Sequence, residues 1–480
     1  MDRGHLSIIL LLSLFFTVVI NLDLTRAIFF DRYLETPQVA GGAADYYLSL
    51  INESSKGNWS LGSPYILEWR YQPYLYPALN INAAGLIKQL SGLDIKIYSL
   101  LMDYGAVFAI MASLLTAFLF IFKFNNFGYL VAIFYIFFPR MIGWNRTLSP
   151  EINFIPLALF FIFYFSDFKF WKRELGLAAL AGILFYVYPY YWTFVLVLLA
   201  ISDLLFFWKR KKILWKFLYK YLIIAGIASW YAAHLWQINQ LPYYHESMAR
   251  IGALYSRWPA GLYTQAVLLI SLISFFLLRK RFFSKINADV KELIDFDKII
   301  PGLIAALAVL NQQLITGMQL EFNSHYLPVI LIFLILLWSG MIYIFIEDIR
   351  VNVYKKYFMI ALCVLAVGLI GNRALFAVNS TAMAEGNYFG GKAPSVTEWF
   401  IQNHIRDKVI YAPVELGDDI NLLTNNYLYF HGSQELQLMP TTELIDRFTY
   451  FDITNSEITE NLQDQQVVIF GQTFKAAWQK

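Results

Sequence analysis

The sequence predicts an all-α polytopic membrane protein of about eleven transmembrane helices with a small C-terminal extracytoplasmic α/β domain. Of its 480 residues, 58% are apolar and only 15% are charged, whereas a soluble globular protein contains roughly half and a quarter respectively. The apolar residues come in blocks of about 17 to 25, which is the length that spans a bilayer. These observations exclude an ordinary cytosolic enzyme.

The apolar blocks and their polar flanks define the predicted spans. The first block resembles a signal peptide in position, but it is long and lacks a clear small-x-small cleavage site, so we interpret it as a helix. Pro189 divides what would otherwise be one long helix, and the aromatic run Tyr188-Pro189-Tyr190-Tyr191-Trp192 predicts a tight hairpin at a membrane interface. The predicted spans are 6–24, 99–122, 127–143, 150–166, 175–188, 190–208, 217–237, 260–278, 299–315, 326–346 and 356–378.

Lysine and arginine predict the orientation of these helices, because positive residues in short loops resist translocation. With the N-terminus inside, the inside segments contain 20 Lys and Arg, and the short outside loops contain four, namely Arg140, Arg146, Arg250 and Arg257. This asymmetry predicts an integral protein of a cell or cytoplasmic membrane. Two long segments then lie outside: the first loop, 25–98, and the tail from residue 379.

The tail differs in composition from the rest of the chain. Residues 385–480 contain six Lys and Arg against 13 Asp and Glu. Residue patterns predict helices at 396–405 and 441–451 and strands at 408–412 and 466–470. Asp418-Asp419 is interpreted as an acidic solvated turn. We therefore predict a transmembrane domain over 1–378, including the outside loop, and an extracytoplasmic α/β domain over 379–480, for which truncation of a longer domain remains open.

Polar residues gather on the predicted outer face. The middles of the spans are nearly free of charge, where each charged residue would cost roughly 2.5–3.5 kcal/mol. Asp203 lies near an inner end, and we interpret it as an interfacial residue beside the lysine-rich run 209–212. An ion pathway would place ionisable groups along the depth of the bundle. The pattern therefore favours binding or chemistry at the outer face.

Asp45 is the candidate catalytic residue. It follows Gly41 and Gly42, which free the backbone, and precedes a helix-like run. A carboxylate near a helix N-terminus is favoured in its ionised form by the helix dipole, as a general base requires. The alternative is a helix N-cap with no chemical role.

Besides this arrangement of helices and loops, the sequence contains several short motifs that we compare with known families. They are Asp45-Tyr46-Tyr47, Gly57-Asn58-Trp59, Pro64-Tyr65, Glu68, Asn311-Gln312-Gln313-Leu314-Ile315-Thr316-Gly317 and His325-Tyr326. They resemble uncharacterised prokaryotic members of the GT-C superfamily, which are integral-membrane glycosyltransferases that use polyprenyl-phosphate or polyprenyl-diphosphate sugars. The large outside loop with an early acid and the C-terminal outside domain are also similar to that superfamily. A Trp-Trp-Asp run is missing, which argues against transfer to asparagine.

The resemblance implies a polyprenyl-phosphate sugar donor, a glycan, lipid or protein acceptor, and inversion of the sugar with Asp45 as general base. Because phosphate leaves as a stable anion, one base suffices, whereas a glycosidase needs two carboxyl groups. Arg250 and Arg257 are predicted to bind the donor phosphate, with contacts to lipid headgroups as the alternative. Further predicted substrate-binding residues are Tyr46, Glu68, Gln312 and His325, and for His325 a structural role is the alternative.

No metal ligand is predicted. Many relatives carry adjacent acids, whereas Asp45 stands alone, which leaves dependence on a divalent cation open. Cys363 is the sole cysteine, so internal disulfides and Cys-based metal sites are excluded. The expected partners are the sugar donor, the acceptor and the bilayer, and nucleic acid is not among them.

Two other functions fit the same residues. A transporter or flippase of lipid-linked saccharides would use the same aromatic and arginine contacts, but it would need a polar path through the bundle. A non-catalytic membrane scaffold would bind a surface partner through its acidic tail, and its outer polar residues would not converge.

Overall fold

The computed structural model describes residues 3–22, 25, 43–75, 78–137, 148–210, 215–250, 254–255, 257–259, 261–279, 294–319, 323–348, 352–379, 392–412, 414–431, 438–454, 466–469 and 472–475. The protein is a helical multi-pass membrane protein. Its helices are α1 (Arg3–Ile20), α2 (Ala43–Ser55), α3 (Leu79–Ser91), α4 (Ile95–Ile121), α5 (Phe127–Phe137), α6 (Leu148–Phe165), α7 (Phe170–Leu184), α8 (Pro189–Arg210), α9 (Trp215–Asn239), α10 (Tyr244–Arg250), α11 (Leu262–Leu278), α12 (Phe296–Val309), α13 (Gln313–Thr316), α14 (Leu327–Asp348), α15 (Asn352–Asn379), α16 (Lys392–Gln402), α17 (Val414–Thr424) and α18 (Thr441–Thr454).

A helix is present in each segment that the sequence predicts to span the membrane. Five stretches of the described chain are long and apolar enough to cross a bilayer: Arg3–Ile20, Ile95–Ile121, Pro189–Lys209, Phe296–Thr316 and Leu327–Glu347. Shorter apolar helices lie at Phe127–Phe137, Phe154–Phe165, Leu262–Leu278 and Lys356–Asn372.

Both ends of helix α7 differ from the prediction. The turn lies at 185–188, just before Pro189 begins α8, because proline is favoured at the first helical position, where its missing N–H costs nothing. Helix α7 starts at Phe170, five residues before the predicted span. Its first turns contain Arg173 and Glu174, which hydropathy alone assigns to a loop.

The membrane body surrounds one large apolar cluster. Helix α4 packs against α1 and α6, α7 packs against α9, and α12 packs against α8 and α14. Fully buried side chains in this cluster include Phe118, Phe161, Leu198 and Phe333. These helices are apolar on most faces, which is typical of helices that contact both neighbouring helices and lipid.

The first loop and the tail share a second apolar cluster. Strand β3 (Val409–Ile410) pairs in parallel with β4 (Tyr427–Leu428), and α17 connects them. The backbone N–H of Leu428 donates to the carbonyl of Tyr65 in the first loop at 2.7 Å. Leu48, Tyr65 and Ile420 are buried in the same cluster, so the loop and the tail pack as one apolar unit.

The tail contains elements that the sequence did not predict. The predicted helices and strands correspond to α16, β3, α18 and β5 (Gln466–Ile469), which forms a hairpin with β6 (Gln472–Lys475). Helix α17 and strands β4 and β6 were missed, and the interpretation of Asp418-Asp419 as a solvated turn is wrong, because these residues lie within α17 and Asp419 is buried. Because Gly and Asp are more favourable in turns than in helices, this run indicates a turn in sequence. Packing of α17 against α2 favours a helix nevertheless.

Candidate active site

Asp45 is the third residue of α2. The prediction that it lies near a helix N-terminus is therefore confirmed. Within α2, the first described side chain is that of the next residue, Tyr46. The position of the Asp45 carboxylate therefore lies outside the described part of the chain. Helix α2 packs against α3, against α17 of the tail and against the membrane helix α6. Asp45 thus belongs to a helix at the junction of the loop, the tail and the bundle.

Tyr46 is buried within an aromatic group next to Asp45. Its ring meets Tyr47 edge-on at 5.2 Å and lies 6.3 Å from the ring of Tyr65, while its hydroxyl donates to the hydroxyl of Tyr74 at 3.5 Å. The carbonyl of Tyr74 lies 2.9 Å from Nε2 of His234, near the predicted outer end of α9. These contacts connect the Asp45 helix to the membrane helix α9.

A buried carboxylate fixes the other end of α2. Glu53 accepts ion pairs of 2.8 Å from both Arg70 and Lys56, and the Tyr427 hydroxyl donates to its Oε1 at 3.5 Å. The pKa of Tyr427 is raised by burial and by the negative charge of Glu53. The Arg70 guanidinium lies 5.5 Å from the centroid of the Tyr427 ring and 5.2 Å from that of Tyr71. The network ties the loop to β4 of the tail.

Glu68 lies on the surface of the same junction. It belongs to a 3₁₀ turn at Leu67–Trp69 and pairs with Arg447 of α18 at 3.4 Å. The next residue, Trp69, donates its indole N–H to Glu443 at 2.7 Å. The predicted substrate-binding role of Glu68 stays a prediction, and its observed contact is with the tail.

Arg250, the last residue of α10, is buried against the tail. Only 1% of its surface is exposed. Its guanidinium donates to the Thr441 hydroxyl at 2.6 Å and to the Met439 carbonyl at 2.8 Å. Arg250 therefore fastens the start of α18 to α10. Its predicted role in binding phosphate stays a prediction.

Arg257 and Gln312 lie close together on a separate part of the surface. Strand β1 (Leu254–Tyr255) pairs antiparallel with β2 (Met318–Gln319), which brings the loop after α10 beside the turn after α12. Arg257 is exposed, donates to the Leu314 carbonyl at 3.3 Å and lies against Gly317. Gln312 accepts a 2.9 Å hydrogen bond from Thr316. The β1–β2 strand pair therefore closes a loop that holds the guanidinium of Arg257 at the surface.

His325 lies in a tyrosine cluster at the hairpin between α7 and α8. Its Nδ1 is hydrogen-bonded to the Tyr188 hydroxyl, and its ring is 4.8 Å from the Tyr190 ring. Burial lowers the pKa of His325 to about 4, so the imidazole is neutral at physiological pH. A neutral imidazole can donate or accept a hydrogen bond from a sugar hydroxyl, but it does not attract phosphate as a cation.

The candidate residues thus form three groups. Tyr46, Glu68 and Arg250 lie at the junction of the loop and the tail. Arg257 and Gln312 share the strand-paired loops, and His325 lies with the hairpin tyrosines. The hairpin also contacts the first loop, since the backbone N–H of Leu79 donates to the Tyr186 carbonyl at 2.9 Å. Arg140 and Arg146 lie outside the described residues.

The described residues contain no group of three or more His, Cys, Asp or Glu that could hold a metal ion.

A polar site that the sequence did not predict lies at the opposite, lysine-rich ends of the helices. There Glu174 and Lys220 are buried, and both contribute to a cavity with Asp203. The signal for this site in the sequence was the pair Glu174 and Lys220, an acid and a base within apolar helices. Because both lie next to lysine-rich loops, they are assigned to those loops from the sequence alone.

No known protein-family model matches this chain, and no curated protein matches it.

Proposed function

We propose that the protein is an integral-membrane glycosyltransferase. It transfers a sugar from a polyprenyl-phosphate donor to an acceptor hydroxyl at the outer membrane face, with inversion. In this proposal eleven helices cross the membrane, the N-terminus is inside, and the first loop and the tail are outside. The observation that carries it is the position of Asp45 in the first turn of α2, at the junction of the loop, the tail and the bundle.

The chemistry needs one base and one cation. Asp45 takes the proton of the acceptor hydroxyl while the acceptor oxygen bonds to the anomeric carbon. The bond from that carbon to the phosphate oxygen breaks, and polyprenyl phosphate leaves with the electron pair. The dipole of α2 favours the ionised form of Asp45, and a positioned base contributes about 10²–10⁴-fold to such a step.

Arg257 is the cation that best fits the departing phosphate. Its side chain is exposed and its fork-shaped guanidinium suits phosphate oxygens. Arg250, by contrast, directs its hydrogen bonds to the tail, which assigns it a positioning role. Neutral His325 and the tyrosines around it then contact sugar hydroxyls and sugar faces.

The apolar interior favours this function over transport. Apolar side chains fill the middle of the described bundle, whereas a flippase for a saccharide needs a polar path. The non-catalytic scaffold is the second candidate function, because the candidate residues form three groups and do not converge on one.

The test is the Asp45→Asn variant in membranes that contain the full-length protein. The probes are radiolabelled undecaprenyl-phosphate hexoses and pentoses, and the measurement is labelled glycan together with released undecaprenyl phosphate. We expect a loss of about 10²–10⁴-fold. The matched control is Asp446→Asn, the same change at an exposed position on α18, which should keep full activity.

Retained activity in Asp45→Asn contradicts the role of Asp45. Failure of the correctly inserted wild-type protein to use any of these donors contradicts the glycosyltransferase proposal itself. Arg257→Gln should lower kcat and kcat/KM for the donor, because the charge that Arg257 stabilises develops on the departing phosphate, whereas Arg406→Gln, at an exposed position in the tail, should not.

The proposed orientation has its own test. After Cys363→Ala, single cysteines are introduced as Trp258→Cys and Lys123→Cys, both at exposed positions. A membrane-impermeant maleimide applied to intact cells should label the first variant, and the second only after permeabilisation. The reverse pattern contradicts the orientation.

A further inference from the structure

A cavity of about 360 Å³ lies between the lysine-rich ends of six helices, on the side opposite to Asp45 in the proposed orientation. Its lining comes from α7, α8, α9 and α12, from Tyr164 near the end of α6, and from the end of α11. The volume lies within the range of roughly 300–1,000 Å³ that small-molecule sites occupy. The cavity plays no part in the proposed sugar transfer.

The floor of the cavity is a saturated ion cluster. Lys220 pairs with Glu174 at 3.0 Å and with Asp203 at 2.9 Å, and Arg173 pairs with Glu174 at 2.8 Å. The Tyr221 hydroxyl donates to Asp203 at 2.7 Å. Two cations therefore balance two carboxylates, and the floor carries no net charge.

The rim carries exposed charges of both signs. Lys209 pairs with Asp297 at 2.5 Å, with 55% and 66% of the two side chains exposed. Lys298 lies 3.4 Å from Asp295, and Arg279 adds an exposed cation. Exposed ion pairs contribute little to stability, so a ligand that replaces the partners can separate them easily.

One wall of the cavity is apolar and reaches the lipid-facing surface. It includes Leu177, Leu199, Phe206, Phe276 and Ile300. Phe206 and Phe276 are 36% and 52% exposed, and they come from α8 and α11. An apolar chain lying between these helices would meet the charged rim at its end.

We propose that this cavity binds a zwitterionic phospholipid that bears a primary amine, with the phosphate on Lys209 and Arg279 and the ammonium on Asp295 and Asp297. A purely anionic ligand would meet the two aspartates, and a purely cationic ligand would meet the lysine and arginine. A zwitterion exchanges the exposed Lys209–Asp297 pair for two new pairs without changing the net charge. The acyl chain lies along Phe206 and Phe276.

The test uses full-length protein in nanodiscs of phosphatidylethanolamine and phosphatidylglycerol in equal amounts. Native mass spectrometry counts the lipids that remain bound after release. The wild-type protein should retain phosphatidylethanolamine selectively. Lys209→Gln should reduce its retention about tenfold, the expected loss for one charge-assisted contact to phosphate. The matched control Lys172→Gln, an exposed lysine of α7 outside the cavity lining, should bind like wild type.

The Asp297→Asn variant tests the amine contact. It should lose the preference for phosphatidylethanolamine over phosphatidylglycerol while it still retains phospholipid, because the phosphate contacts remain. Thermal melting of each variant checks that it is folded.

Three results would overturn the proposal. The first is equal retention of the two lipids by wild type. The second is identical binding by Lys209→Gln and Lys172→Gln. The third is displacement of the lipid by soluble O-phosphoethanolamine at equal concentration, which would assign the site to a water-soluble ligand. None of these readouts depends on sugar transfer.

Discussion

The junction of the first loop and the tail differs from the cavity at the lysine-rich helix ends in how each uses charge. At the junction, ionic and hydrogen-bonded contacts join segments far apart in sequence, such as Trp69 with Glu443 and Glu53 with Arg70 and Tyr427. At the cavity, the pairs join neighbouring helices, as in Glu174 with Lys220. The contacts at the junction hold the tail against the first loop, whereas those at the cavity surround a space between membrane helices. Polar contacts therefore join the loop to the tail in one region and join neighbouring membrane helices in the other.

The largest effect should come from the floor of the cavity. Lys220→Met leaves Glu174 and Asp203 without their shared buried cation, which should lower the free energy of unfolding by about 3–5 kcal/mol. Thermal melting in detergent measures it, and Lys172→Met serves as the exposed control. Adding Asp203→Asn to Lys220→Met should recover part of the loss. An unchanged melting temperature would contradict the interpretation of the floor as a coupled ion cluster.

His325 should make stability depend on pH. Its pKa is lowered to about 4 in the folded protein, so between pH 6.5 and 4 the unfolded chain binds a proton that the folded protein does not. Stability should be full above pH 6.5 and should fall by at most about 3 kcal/mol as the pH decreases to 4. Melting curves of wild type and His325→Asn measure this, and the variant should lack that part of the slope.

Arg250 tests the junction. Arg250→Met removes the hydrogen bonds to Thr441 and Met439, which should destabilise the docked tail by about 2 kcal/mol. Hydrogen exchange over 438–454 should increase, while exchange within the membrane helices should stay unchanged. Arg406→Met is the exposed control. If exchange is unchanged but donor binding weakens, Arg250 acts on the ligand and the positioning role is wrong.

The smallest effect should come from Glu68. Its pair with Arg447 is 3.4 Å long, and 56% of the Glu68 side chain is exposed, so Glu68→Gln should change stability by less than about 1 kcal/mol. A loss of transfer without a change in melting temperature would support its predicted contact with substrate. A large loss of stability would instead show that the surface pair holds the junction.

The membrane helices were predictable because hydropathy depends on composition over a window, which needs no knowledge of neighbours. The start of α7 was not, because Glu174 looks like a loop residue until Lys220 and Arg173 are seen around it. The same holds for the partners of Asp203, which are Lys220 and Tyr221. A charge in an apolar helix is readable in sequence, but its partner is not.

The candidate active site was predictable only in part. The glycines before Asp45 and the run after it correctly predicted a helix N-terminus. That Arg250 directs its hydrogen bonds to the tail, while Arg257 is exposed, depends on which side chains α18 brings near. Two arginines seven residues apart in one aromatic loop looked equivalent in sequence and differ completely in burial.

By itself, the sequence determined a helical multi-pass membrane protein, the positions of its apolar helices and the helix N-terminus near Asp45, because hydropathy, proline and helix-terminal residues act over short stretches of chain. Only the tertiary structure decided that the first loop packs with the tail, that Arg250 is buried, and that acids and bases of neighbouring helices enclose a cavity. Those features depend on contacts between residues distant in sequence, and pairing of buried charges has no signature in the order of residues along the chain.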